Sequence, residues 1–179
     1  FMRSVRDFGA VGDGIADDTT AIQHAVDHNI GELHFEPGLY RITKPILIEL
    51  KTAGYTSISG SAGTAKVIMD GPGPAFDFRG NHMKTAQPEG YIEQIWTKER
   101  MPLIQGLEIE GRHPEADGIH CIQTSMATFE GVMLRKLRHG IHFTQRARNV
   151  LISHCHIYDN SGVGIFFDHI NTHQIIIAS

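Results

Sequence analysis

From residue 104 onward the chain repeats itself, and this self-similarity limits the fold more than any other feature. DGIHCI from Asp117, HGIHFT from His139 and VGIFFD from Val163 share one pattern, and their glycines, Gly118, Gly140 and Gly164, are 22 and 24 residues apart. A second set, GLEIEG from Gly106, GVMLRK from Gly131 and HCHIYD from His154, brings Leu107, Val132 and Cys155 into register at steps of 25 and 23. A period in the low twenties marks a solenoid, in which each repeat buries its apolar side only by stacking on its neighbours. Within each repeat the alternation has period two, which is strand rather than helix. Ile119, Ile141 and Ile165 then form one inward stack and Cys121, Phe143 and Phe167 another. Leu107, Val132 and Cys155 make a third, continued by Ile109, Leu134 and Ile157. The residues between them point outward: Glu108, Met133 and His156 on one face, His120, His142 and Phe166 on another. Leucine-rich repeats have a similar period, but their LxxLxL spacing is absent, and a helical solenoid needs apolar positions three and four apart. A parallel β-helix with two or three short strands per rung remains, its corners supplied by the glycines and by Asn160 and Asn171.

Upstream, ELHFEPGLYRITKPILIEL alternates through Leu33, Phe35, Tyr40 and Ile42 with Pro37-Gly38 as a turn, and is expected to be the first rung. TSISG and AKVIMDG continue the pattern. The stretch from Gly71 to Met101 loosens and is expected to be a loop that leaves the coil. Asp18 to His28 is expected to be a helix with Ile22, Ala25 and Val26 on its buried face and Asp18 or Thr19 as cap, covering the first rung. HQIIIAS still has strand character at Ile175 to Ile177, so the natural protein is expected to continue past Ser179.

With 179 residues, 41% hydrophobic and 20% charged, one domain over residues 1–179 is the expectation, residues 1–30 forming the entry and capping helix and 31–179 the coils. A net charge of −4 and scattered basic residues, close together only at Arg135 to Arg138 and Arg146 to Arg148, give no reason to expect nucleic acid as a partner. No apolar run is long enough to span a bilayer. Cys121 and Cys155 are too few for a disulfide framework.

The amino-terminal stretch VRDFGAVGDGIADDTTAIQHAVD, followed by EPGLYRI, closely resembles the pectate-lyase-like superfamily of right-handed parallel β-helix proteins, which includes polygalacturonases, mannuronan epimerases and phage tail spikes. The resemblance implies an all-β fold, a right-handed single-stranded parallel β-helix with a short amino-terminal capping helix. It also implies carbohydrate as the partner and a place outside the cell or on a surface, the export signal not being present in this chain. In such proteins the acidic loop enters the coil and is not a catalytic centre. The residues agree: Gly9, Gly12 and Gly14 permit tight turns, and carboxylates suit the start of a helix. No cofactor is expected. Calcium is the one ion the loop could hold, through Asp13, Asp17 and Asp18, although the spacing is not that of the twelve-residue calcium loop.

Chemistry on a β-helix must lie on outward ladders or in loops. Asp117, His120, His142 and Asp168 are the candidate catalytic residues. On adjacent rungs about 4.8 Å apart the two imidazoles stack within reach of one sugar unit, and Asp117 and Asp168 are expected about 10 Å apart, close to the inverting-hydrolase separation. The alternative is that the histidines are half-exposed ladder residues stacking on each other, as Phe166 does at the next rung. Glu108, Arg135, His156 and Tyr158, with His154, are candidate substrate-binding residues on another face, where Arg135 could hold a uronate carboxylate and His156 could take a proton; the alternative there is a solvated face of mixed charge. The Asp-Pro-His element of mannuronan epimerases is missing from GIHFTQ (140–145), and the polygalacturonase pattern is missing too. His24 and His28 share a helix face and His154 and His156 a strand face, but neither pair supplies a third zinc ligand.

Three functions remain open on the sequence. The first is a lyase or glycoside hydrolase acting on an acidic glycan along a coil face. The second is a non-catalytic glycan-binding or architectural module, such as part of a tail spike, for which the chain would be a homotrimer. The third is a protein-interaction solenoid displaying Met133, Phe166 and Phe129.

Overall fold

The computed structural model describes residues 3–28 and 31–179. Its strands follow one another as a coil. An entry segment supplies β1 (Arg3–Ser4) and β2 (Asp13–Asp17), and the helix α1 (Thr19–His28) follows. Five full rungs of three strands come next: β3 (Glu32–Phe35), β4 (Gly38–Ile42) and β5 (Ile46–Glu49); β6 (Ser57–Gly60), β7 (Ala65–Met69) and β8 (Gly73–Arg79); β9 (Leu103–Gln105), β10 (Glu108–Gly111) and β11 (Ala116–Ile122); β12 (Thr128–Glu130), β13 (Met133–Arg135) and β14 (Ile141–Thr144); β15 (Val150–Ser153), β16 (His156–Tyr158) and β17 (Ile165–Phe167). β18 (Ile175–Ala178) begins another. Every pairing is parallel and joins one rung to the next. The result is three sheets: the first holds β1, β3, β6, β9, β12, β15 and β18, the second β2, β4, β7, β10, β13 and β16, and the third β5, β8, β11, β14 and β17. The fold is the right-handed parallel β-helix expected from the repeat and the amino-terminal motif.

The register delivers the inward stacks. In the third sheet Ile46, Phe76, Ile119, Ile141 and Ile165 are successive partners, beside Ile48, Phe78, Cys121, Phe143 and Phe167. In the second, Tyr40, Val67, Ile109, Leu134 and Ile157 line up, and in the first, Leu33, Ile58, Ile104, Phe129, Ile152 and Ile177. Phe129 is fully buried in that last stack, so it is not the surface residue the interaction-solenoid reading needs.

Three local expectations are corrected. Gly73–Arg79 is a strand of the third sheet, because Phe76 and Phe78 point into the core; the excursion from the coil begins only after it and ends before Leu103. The acidic loop is not merely a turn, since Asp13–Asp17 pairs with β4 and lays a partial rung before the first full one. Asp18 does not cap the helix with its side chain. Its carboxylate accepts from the Val11 and Gly12 amides, and Asp17 Oδ1 takes the Thr19 N–H at 3.0 Å.

Helix α1 buries Ile22, Ala25 and Val26, as its periodicity requires. Its Gln23 side chain closes the open edge of the third sheet. The amide donates to Leu47 C=O and accepts from Leu47 N–H, both at 2.8 Å, so β5 keeps no free edge group at that residue.

The repeated glycines have a spatial cause. A Cβ on Gly118 would lie 2.4 Å from the Gly140 carbonyl oxygen, and one on Gly140 would lie 2.4 Å from that of Gly164. Backbone thus packs on backbone at this corner. At Gly164 the nearest atom would be the Ile157 side chain at 3.3 Å. Gly140→Ala is therefore expected to destabilise the fold by about 1–3 kcal/mol, the usual range for overpacking, and Gly164→Ala by clearly less; urea unfolding midpoints of the two variants measure the difference.

Candidate active site

The outer face of the third sheet carries a ladder of Leu47, Asp77, His120, His142 and Phe166, one residue per rung. Period-two alternation produces it, because each of these residues sits between two core residues of its own strand. Beside it runs a second outward line, Arg79, Ile122 and Thr144, which Asp168 continues just past β17.

Histidines and carboxylates join the two lines. Asp77 Oδ1 lies 2.8 Å from His120 Nδ1, and His120 Nε2 lies 2.8 Å from the Thr144 hydroxyl. One rung on, Asp168 Oδ2 lies 2.9 Å from His142 Nε2, and its other oxygen meets His169 Nδ1 at 2.6 Å. The two imidazoles are 5.4 Å apart, and His142 stacks on Phe166 at 4.7 Å with rings 4° from parallel. His120, His142 and Asp168 are thus brought together. Burial pushes the Asp77 carboxyl up, but the His120 hydrogen bond and charge, with Arg79, outweigh it and hold it below its ordinary value. The hydrogen bonds from His142 and then His169 hold Asp168 low as well.

A carboxylate held in its charged form only accepts, so each partner nitrogen must carry a proton. His142 then has its N–H at Nε2, and the neutral ring has a bare lone pair at Nδ1, which has no hydrogen-bond partner among the described residues. His120 has both nitrogens engaged. His139, whose ring centroid lies 5.5 Å from that of His142, is held in the same tautomer through its other nitrogen: its Nδ1 accepts from Val163 N–H at 3.0 Å, so its proton is on Nε2. Of these two neighbouring imidazoles, one therefore keeps a free acceptor, His142 Nδ1, and the other a free donor, His139 Nε2–H.

Asp117 stands apart. Its two oxygens take Arg138 Nε and Nη2 at 3.1 and 2.9 Å and His139 N–H at 2.9 Å, and the residue is buried. It lies five positions before Ile122 on β11, while Asp168 lies two rungs beyond Ile122, a Cα separation of roughly 19 Å at ~3.3 Å per residue and ~4.8 Å per rung. The expected 10 Å pair of Asp117 and Asp168 is not formed, because the two residues stand at opposite ends of their strands.

The second sheet shows Leu39, Lys66, Glu108, Met133 and His156 on one outward line and Glu110, Arg135 and Tyr158 on the next. The first line floors an open groove of about 460 Å³ that crosses the rungs. Lys66 Nζ is 2.8 Å from Glu108, and Glu110 Oε1 has Lys66, Arg135 and Lys136 at 3.8 to 3.9 Å. Arg135 is thus turned toward Glu110. His154 is not on this face: it sits at a corner with φ 55° and bonds Ser153 and Glu130.

Asp77, His139, Thr144, Lys66 and Glu110 were not foreseen. Asp77 was legible as the polar residue between Phe76 and Phe78, one rung above His120. Thr144 and His139 emerge only from the diagonal reach between rungs.

In the acidic loop Asp13, Asp17 and Asp18 each bind different donors, Asp13 Oδ1 taking the Ile15 and Ala16 amides. Among the described residues no group of three or more His, Cys, Asp or Glu is placed to hold a metal ion.

Coil, capping helix and polar face define the class: a parallel β-helix protein of the pectate-lyase-like kind. The family model for rhamnogalacturonase A/epimerase, pectate lyase-like, matches residues 2–178, and the chain belongs to that family. A curated relative, "Probable glucan endo-1,3-beta-glucosidase" of Arthroderma benhamiae, is 37% identical over 84 residues, covering 40% of this chain and 9% of that one. The solved complex of ι-carrageenase with ι-carrageenan fragments superposes with a TM-score of 0.55 at 13% identity, over 96% of this chain and 39% of the other. Open reading frame 18 of Geobacillus virus E2 gives 0.54 at 18% identity, over 84% and 32%. The Streptococcus pneumoniae surface adhesin PfbA gives 0.51 at 14%, over 99% and 56%. The chain thus spans a small part of the curated relative and a third to just over half of these structures.

For Asp117, burial raises the carboxyl, but the Arg138 hydrogen bond, the His139 amide and the Arg138 charge outweigh it and leave it below its ordinary value. A depressed folded pKa contributes stability that is present above the unfolded value, about 3.9, and lost as pH falls through the folded one. Asp117→Asn is therefore expected to lower stability by about 1–3 kcal/mol at neutral pH and to narrow its gap to the wild type below pH ~4. Urea unfolding over a pH series checks both.

Proposed function

We propose that this chain is the catalytic coil of a polysaccharide lyase that works on an acidic glycan laid across the rungs of the third sheet, outside the cell or at a surface. Two adjacent imidazoles held in the same Nε2–H tautomer carry the reading: His142 spends its N–H on Asp168 and keeps Nδ1 bare, while His139 spends Nδ1 on the Val163 amide and keeps its Nε2–H. In β-elimination the base takes the proton next to the sugar carboxylate. The C–H electron pair forms the new C=C bond, the C–O bond to the next sugar breaks, and the leaving oxygen needs a proton. His142, oriented by Asp168, supplies the base, and His139 supplies the acid. Asp77 and His120 position the ladder from the rung above, since His120 has no free nitrogen to offer.

Hydrolysis by paired carboxylates has less support on this face. Asp77, Asp117 and Asp168 each answer a cation or an imidazole, and Asp117 and Asp168 lie well beyond the roughly 5–9.5 Å that glycosidases use. The relatives named above support the polysaccharide class, and His142 and His139 offer the base and the acid.

The test is incubation with pectate, alginate, other uronates and bacterial capsular polysaccharides, following reducing ends and the ultraviolet absorbance of unsaturated uronate. Both signals are expected. His142→Gln and His139→Gln should each lower the rate about 100-fold or more with the fold intact by circular dichroism, in line with the usual contribution of one acid or base; His120→Gln should cost far less. Reducing ends without the absorbance would overturn elimination in favour of hydrolysis. Tight binding with no turnover would overturn catalysis in favour of a recognition module, whose oligomeric state sedimentation would then give.

A further inference from the structure

Beside the histidine ladder, where the chain turns from the third sheet to the first, the structure holds two arginines without a carboxylate. Arg148 is 7% exposed, and its one side-chain hydrogen bond is a 3.3 Å contact from Nη1 to the carbonyl of Ala147. Arg146 is exposed and close enough that its charge, after burial, helps to depress the Arg148 pKa. Arg6, Arg41, Arg79, Arg135 and Arg138 all have a carboxylate within ion-pair distance; among the described residues Arg3, Arg100, Arg112, Arg146 and Arg148 have none, and of these Arg148 alone is buried. A buried charge is costly unless an opposite charge or a full set of hydrogen bonds answers it. Here the like charge of Arg146 alongside adds to that cost.

The two guanidinium groups line a pair of hollows of about 490 and 340 Å³, which Asn171 also joins. Gln123, Gln145 and His169 border the larger one, and Thr85, Gln87 and His173 the smaller. All of these side chains can donate a hydrogen bond, and no Asp or Glu lines either hollow. His169 links the larger hollow to the ladder, since its Nδ1 bonds the same Asp168 that orients His142. The excursion between the second and third rungs forms one wall. It is held down by Glu99, whose oxygens take the Asn81 and Gln94 side-chain amides and the Asn81 N–H.

We infer that Arg146 and Arg148 form an anion site that holds the carboxylate of a uronate unit next to the sugar acted on by His142 and His139. The inference rests on the lyase reading and names its substrate class. Planar guanidinium forks match a carboxylate in two parallel hydrogen bonds. Holding the adjacent unit by its carboxylate fixes the register of the chain, so that the reacting sugar's C–H is set against the base.

The experiment is calorimetric binding of a galacturonate trimer, its fully methyl-esterified uncharged counterpart, and a sulfated carrageenan oligomer. All are measured on a His142→Gln background that prevents turnover. Arg146→Gln and Arg148→Lys are then added singly; the first is at the surface and the second keeps the charge while losing the fork, and thermal unfolding confirms that each is folded. The expected result is a 10-fold or greater rise in Kd for the galacturonate trimer in each variant and less than 2-fold for the esterified trimer. Unchanged affinity of the charged trimer in both variants overturns the site while leaving the lyase reading in place. Arginine-dependent binding of the sulfated oligomer alone overturns the carboxylate assignment in favour of a sulfate ester. Failure of every oligomer to bind overturns both the site and the lyase reading.

Discussion

Parallel pairing between successive rungs is the interaction on which everything else in this molecule depends. One strand passes directly beneath another at about 4.8 Å, so a residue's neighbour is fixed by register alone. Inside, this puts Ile119 on Ile141 and Phe143 on Phe167, whose rings stack 5.0 Å apart and 8° from parallel. Outside, the same register puts Asp77 over His120 and His142 over Phe166. Core and site are two faces of one alignment. A slip of one residue would turn the ladder inward and expose the aromatic stack.

That dependence explains what could be read from the residues. The coil from Gly106 onward was legible because its outward and inward positions alternate without interruption for three rungs. The helix face was legible from Ile22, Ala25 and Val26. The second rung was obscured because Ala75, Phe76 and Phe78 follow Gly71, Pro72, Gly73 and Pro74, residues that usually announce a loop; the alternation there is real but short. The candidate site was legible in part. His120, His142 and Asp168 come together because ladder positions follow from counting. Asp117 does not join them, since position along the strand depends on where each corner falls, and corner lengths vary from rung to rung. Hydrogen bonds that cross diagonally, His120 to Thr144 or Val163 to His139, have no signature in a single strand.

The two histidine rungs are alike in composition and unlike in use. His120 is saturated by Asp77 and Thr144, while His142 has one carboxylate and an aromatic ring beneath it. The difference comes from what stands at the same position on the rung before, an aspartate over His120 and a histidine over His142. A solenoid can therefore change the role of a residue without moving it, by altering a neighbour one rung away.

Gln23 brings a different consequence. A primary amide offers one donor and one acceptor in the same plane, the same pair that a peptide unit presents to a sheet. By answering Leu47 on both sides, the side chain impersonates the strand that would have come before β5. An intruding strand from another molecule meets a finished surface there, so growth of the third sheet by recruitment is blocked at its amino-terminal end. The helix is thus less a lid resting on the coil than a counterfeit final rung, one that ends the pattern by satisfying it.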